Sequence, residues 1–173
     1  MGEVIDFEED VLNHEETDMG SINHSIAQTK ITSLLDSDER FTTMVELSLD
    51  ISKRDLTPFE LKVKEELKPD ICLYPNHIWY SKPKDMLKMP EMPLLAIEIL
   101  SPKQGINDIL SKFEAYFSFG VKSCWLVIPA NESITVYSKP EVFKLFSTNE
   151  TELVDKTIDI HLPIQKVFRR PSE

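Results

Sequence analysis

Two short runs, LLAIEIL at 94–100 and SCWLVI at 123–128, are apolar at nearly every position. A strand with one wet face alternates polar and apolar residues; one that does not alternate is covered on both faces. Between the runs lies INDILSKFEAYF, where Ile109, Leu110, Phe113, Tyr116 and Phe117 form the apolar side of a helix and Gly120 follows as its stop. Two doubly covered strands joined through a helix make a parallel pair with a crossover. The chain is therefore expected to be α/β, a mixed sheet flanked by helices on both faces.

The other segments fit around that unit. Ser21 is placed to cap a helix running to about Leu35, with Ile22, Ile26, Ile31, Leu34 and Leu35 as its apolar stripe. Residues 41–51 alternate, predicting one strand with Val45, Leu47, Leu49 and Ile51 on one side and Met44, Glu46, Ser48 and Asp50 on the other. A charged excursion follows, with a second strand or hairpin arm around Phe59 to Val63, and then a short strand, ICLY, between Pro69 and Pro75. SITVYS and VFKLFS have hairpin spacing, and IDIHLP puts His161 in a strand or loop. Residues 75–93 form a long proline-rich loop, a length that often marks function.

Charge separates the chain's start from the rest. The formal net charge is −11, and residues 1–18 hold eight acids with no Lys or Arg, leaving about −3 for the remainder. The expected organisation is an acidic segment over 1–18 and one domain over 19–173. The acidic segment is either a solvated tail or a short amphipathic helix using Val4, Phe7, Val11 and Leu12. An acidic start does not fit a signal or transit peptide, and no apolar run approaches the roughly 20 residues of a membrane span. The expectation is a cytoplasmic protein with no membrane partner. Cys72 and Cys124 sit in apolar strand runs, as buried free thiols do, without Cys/His spacing for zinc.

Glu98, inside the most apolar of these strands, is the residue that asks for a reason. An ionised carboxylate in an apolar setting is costly unless paired or bound. Asp70 opens the short strand before it, and Glu46 lies on the polar side of the alternating strand. With those strands as neighbours, the carboxylates converge and repel, and either a hard divalent cation or a lysine relieves the penalty. On the helix that follows, Asp108, Lys112 and Tyr116 are spaced i, i+4, i+8 and share one stripe, so Lys112 can bring its ammonium to the carboxylates. The bland alternative is a buried Glu98–Lys112 salt bridge with a structural role only.

Taken in order, SINHS, VELSLDI, KPDICLYP, LLAIEILSP and INDILSKFEAYFSFGVKSCWLV resemble the PD-(D/E)xK superfamily over roughly residues 19–137. More narrowly, they resemble its restriction-endonuclease-like nucleases of unassigned function that abound in cyanobacteria. The resemblance implies a restriction-endonuclease-like core and phosphodiester hydrolysis by a Mg²⁺- or Mn²⁺-dependent endonuclease. Asp70 and Glu98 would be the metal ligands, Lys112 the catalytic lysine and Glu46 a further acidic member. His24 matches the first-helix histidine, and Asp108 and Tyr116 support the site.

One departure stands out: the superfamily lysine two residues after the acid is Leu100 here, and Lys112 matches the helix position that replaces it. Lys103, on the loop after Pro102, is the other candidate. The partner implied is nucleic acid, by analogy DNA, contacted by Lys82, Lys84, Lys88 and Lys103 with Trp79 and Tyr80 available for stacking, and the assembly implied is a homodimer. Two alternatives stay open: an inactive nuclease-fold module for binding or assembly, and an acidic interaction domain acting through its first residues.

Overall fold

The apolar runs pair side by side at the centre of a six-stranded sheet. The computed structural model describes residues 20–61 and 66–170. The elements are α1 (Ile22–Asp36), β1 (Phe41–Val45), β2 (Leu49–Asp50), β3 (Glu66–Leu67), β4 (Ile71–Pro75) and β5 (Leu95–Ile99). They continue with α2 (Ile106–Ser118), β6 (Ser123–Ile128), β7 (Ser133–Lys139), β8 (Val142–Ser147), β9 (Leu153–Asp155), β10 (Ile160–Leu162) and α3 (Gln165–Phe168). Strand order in the main sheet is β1-β4-β5-β6-β7-β8. The β5–β6 pair is parallel and joined through α2, as its doubly covered strands predict, and the others are antiparallel. The expected acidic segment, with His14, and the Lys62 and Val63 part of the expected Phe59–Val63 arm lie outside the described residues.

Period-two alternation along β5 sends its side chains to two different cores. Leu95, Ile97 and Ile99 face Ala27, Ile31 and Leu35 of α1, together with Trp125 and Val127. Ala96 faces the other way, onto Ile109, Phe113 and Tyr116 of α2. Glu98 follows Ala96 by two residues and so enters the α2 side. Gly120 ends α2 at a φ of 105°, a backbone that glycine adopts without strain. Cys72 and Cys124 are buried free thiols, and burial pushes the Cys72 thiol up to about 12.

Three expectations need correction. Residues 41–51 are not one strand: β1 stops at Val45, Glu46 turns with a φ of 50°, and β2 joins a separate two-stranded sheet with β3. Alternation alone does not register such a turn, because the chain resumes the same polarity after it. The apolar stripe of α1 is also displaced. Ile22 and Ile26 are exposed, and the buried line is His24, Ala27, Ile31 and Leu35. At its first turns the helix presents His24 and Gln28 to Asp70 instead of isoleucines. Lastly, Phe59 is not in a strand: it lies in a turn, and its ring meets Phe119 edge to face at 5.9 Å.

Candidate active site

Strand register brings the two central carboxylates together. Ile71 pairs with Ile97 between β4 and β5, and one step further in the same register sets Asp70 across from Glu98. Asp70 directly precedes β4, at the end of the sheet where the first turns of α1 also arrive. Ser21 caps that helix by accepting a hydrogen bond from the His24 backbone N–H at 3.1 Å. The cap sets where the helix starts, and so where His24 points.

Asp70 is held at both carboxylate oxygens and at its carbonyl. Its Oδ2 accepts from the Ile99 backbone N–H at 2.7 Å, and its Oδ1 lies 3.2 Å from His24 Nε2. Its carbonyl accepts from Gln28 Nε2 at 2.9 Å and from the Glu46 N–H at 3.1 Å. The hydrogen bond to Asp70 raises the His24 pKa above its ordinary 6.5; burial opposes this, and the charges of Asp70, Glu46 and Glu98 add to it.

Glu98 is held from the opposite helix. It is only 2% exposed. Tyr116 donates its hydroxyl to Glu98 Oε1 at 2.8 Å, and Lys112 Nζ lies 3.8 Å from the same oxygen. Burial pushes the Glu98 carboxyl up to about 7; Asp70 adds to the rise, while Lys112, the Tyr116 hydrogen bond and His24 oppose it. Lys112, Tyr116 and His24 thus offset the desolvation penalty only in part. Asp70 and Lys112 remain partly open to solvent, with side chains 18% and 20% exposed, so this end of the sheet can be approached from outside.

The remaining predicted site residues divide. Glu46 reaches the site through its backbone N–H and its charge on His24; its side chain is exposed on the turn and does not lie on a strand's polar face. Asp108 is exposed in the first turn of α2, where a carboxylate suits the positive end of the helix dipole. No hydrogen bond or ion pair joins it to Glu98 or Asp70. Lys82, Lys84 and Lys88 are exposed on the long loop, and Lys103 is exposed on the turn after β5. Gln28 was not singled out from sequence, although its i+4 spacing from His24 was a usable signal.

Among the described residues, no group of three or more His, Cys, Asp and Glu side chains is arranged to hold an ion. The donor set at this end of the sheet is two carboxylates with a lysine beside them. Oxygen donors of that kind suit Mg²⁺ or Mn²⁺, which commonly take one or two carboxylates and complete their shell with water and substrate phosphate. A buried Glu98 whose charge is incompletely compensated fits such a cation.

The fold is shared with a solved protein from Anabaena variabilis ATCC 29413, described as “a putative nuclease belonging to DUF820”. The TM-score is 0.68 at 20% identity, over 88% of this chain and 83% of that one, which is a likeness of fold. No curated protein matches this chain. Among the described residues, no helix is long and apolar enough to cross a membrane. The family described as “Putative restriction endonuclease” matches residues 15–165, and by that match over most of its length the chain belongs to the Uma2 family of the restriction-endonuclease-like superfamily.

Proposed function

We propose that this protein is a Mg²⁺- or Mn²⁺-dependent nuclease that hydrolyses phosphodiester bonds, with DNA as its substrate. The observation that carries this reading is Lys112 Nζ at 3.8 Å from the buried Glu98, with Asp70 in register beside it. Asp70 and Glu98 are the residues that would hold the cation. When bound, it would supply Lewis-acid polarisation of the phosphoryl group and neutralise developing charge.

The chain's own residues do the rest. Lys112 presents a positive charge at the mouth of the site, where it steadies an attacking water and the charge that builds on the phosphoryl oxygens. Tyr116 restrains Glu98 from one side. His24, Gln28 and the Ile99 N–H restrain Asp70 from the other, so both carboxylates are oriented before substrate arrives. Glu46 adds negative charge at the rim. A two-fold homodimer would supply one such site per strand of a duplex, and the open edge strand β8, with Val142, Phe143 and Leu145 exposed, is the surface we assign to that pairing.

The alternative, a nuclease fold retained for binding only, gains its support from Leu100 at the usual lysine position. The Lys112–Glu98 distance weighs against it. The test is thermal unfolding of wild type and Glu98→Gln with and without millimolar Mg²⁺ or Mn²⁺, followed by cleavage assays on DNA. A ligand specific to the folded state adds about 2.7 kcal/mol at a hundredfold excess over its Kd. Stabilisation of the wild type but not of Glu98→Gln, with metal-dependent cleavage, is the expected result. Equal behaviour of the two chains, with no cleavage, would sink the proposal.

A further inference from the structure

The long loop between β4 and β5 carries chemistry that the carboxylate site does not use. Trp79 and Tyr80 are 67% and 79% exposed, large aromatic surfaces for adjacent residues to hold in water. Their rings meet edge to face with centroids 5.5 Å apart. Within the next eight residues come Lys82, Lys84 and Lys88 against Asp85 alone, a locally positive stretch in a chain of net charge −11.

This loop is fastened at both ends. The Ile78 carbonyl accepts from Thr42 Oγ1 at 2.7 Å, and the Asn76 N–H donates to the Arg40 carbonyl at 3.1 Å. On the return arm, Met89 donates to the Ser48 carbonyl at 2.9 Å and accepts from the Asp50 N–H at 2.8 Å. Tyr74 donates its hydroxyl to the Glu91 carbonyl at 2.8 Å. The aromatic end is thus tied beside Thr42 in β1. The basic end is tied beside Ser48, two residues past Glu46 and its contact with Asp70. From Thr42 to Glu46 is four residues, about 13 Å of strand, or roughly four stacked nucleotides at about 3.4 Å each.

We infer that this loop is a platform for an unpaired nucleic-acid strand leading into the carboxylate site. Trp79 and Tyr80 stack on exposed bases, and Lys82, Lys84 and Lys88 contact phosphates. The inference rests on the nuclease reading and narrows it to substrates with a single-stranded stretch, such as an overhang, flap or bubble, a few nucleotides from the cleaved bond. Paired bases hide their faces in the duplex, so exposed aromatic rings can reward only unpaired ones. Local lysines are required because the molecule as a whole repels a polyanion.

The test uses the chain's two tryptophans. Trp125 is fully buried and donates its Nε1–H to Asp155 at 2.8 Å, so fluorescence quenching by an added oligonucleotide reports on Trp79. With EDTA present, a 12-nucleotide single strand is expected to quench the wild type and to bind about tenfold more tightly than the blunt duplex. Trp79→Phe should keep that affinity by anisotropy while losing the quenching. Trp79→Ala and Tyr80→Ala should each weaken binding about tenfold. Changing all three lysines to Gln should lower the salt slope by about two.

The inference is overturned if the single strand does not bind, or binds without quenching Trp79. It is also overturned if the duplex binds as tightly and Trp79→Ala changes nothing. A Trp79 blue shift on anionic lipid vesicles without a response to the oligonucleotide would assign the loop to a membrane surface and overturn it equally. The nuclease reading is tested apart, by Mn²⁺-dependent hydrolysis of bis(nitrophenyl) phosphate, which is too small to reach the loop. Loss of that activity in Glu98→Gln supports the site whatever the loop does. Quenching without any hydrolysis would leave the loop standing and remove the site.

Discussion

Lys112 and Glu98 meet across the gap between helix α2 and strand β5, ammonium to carboxylate at 3.8 Å, and Tyr116 donates to that same carboxylate oxygen from one turn further along the helix. The superfamily pattern keeps its lysine two residues after the acid on the strand itself, where this chain has Leu100. A helix packed across the sheet supplies the charge instead. Replacing Lys112 with Met keeps the aliphatic stem and removes the charge. Cleavage should fall about 10²–10³-fold, the usual effect of losing one electrostatic stabiliser, with melting changed by only a few degrees at pH 6. Single-turnover kinetics and a melting curve together check this.

Glu98 should make the metal-free protein less stable as pH rises. Its folded pKa of about 7 lies above the ordinary 4.5, so the folded state holds the proton more tightly than the unfolded one. The stability linked to that proton is complete below about 4.5 and is lost as pH climbs through 7, a span worth roughly 3 kcal/mol. With EDTA present, wild type should lose stability between pH 5 and 8 relative to Glu98→Gln, and Mg²⁺ should restore it most at the high end. Urea unfolding at several pH values measures the difference, and parallel profiles for the two chains would contradict it.

Gln28 and His24 hold Asp70 from one helix face. Gln28→Ala removes a single neutral hydrogen bond and should cost about 1 kcal/mol in the metal-free chain. Its effect on Mn²⁺ affinity should be larger, about tenfold, because a loosened ligand loses orientation. For His24 the expected observation is an imidazole that titrates above 6.5 by NMR, and that moves down in Asp70→Asn once the carboxylate partner is gone. Equal Mn²⁺ affinity in wild type and Gln28→Ala would remove Gln28 from the site.

Strand β8 is an open edge with Val142, Phe143 and Leu145 exposed beside it. If a second copy covers this edge, Phe143→Lys combined with Leu145→Lys should shift the sedimentation coefficient from dimer to monomer without lowering the melting temperature at high dilution. A wild type that sediments as a monomer at tens of micromolar would discard the pairing.

Much of this fold was legible because its signals are local. Leu94–Leu100 and Ser123–Ile128 declare themselves as covered strands by failing to alternate, Gly120 marks the end of α2, and the spacing of Lys112 and Tyr116 puts them on one stripe. Each follows from chain geometry at a span of a few residues. The turn at Glu46 did not, since a single left-handed residue leaves the polarity pattern of 41–51 undisturbed. The exposure of Ile22 and Ile26 did not either. Which side of α1 is buried depends on what waits on the sheet, and there it is Asp70.

The sequence by itself determined the α/β order, the parallel pair with its crossover helix, and the presence of a carboxylate where apolar residues belong. Tertiary structure alone decided which groups complete the site. The register of β4 on β5 sets Asp70 across from Glu98, and the start of α1 at Ser21 brings His24 and Gln28 onto Asp70. The packing of α2 puts Lys112 and Tyr116 onto Glu98. These partners lie up to 46 residues apart along the chain, as His24 and Asp70 do, and hydrogen bonds and ion pairs act only over a few ångströms. Only the folded sheet and its two helices bring them within that reach.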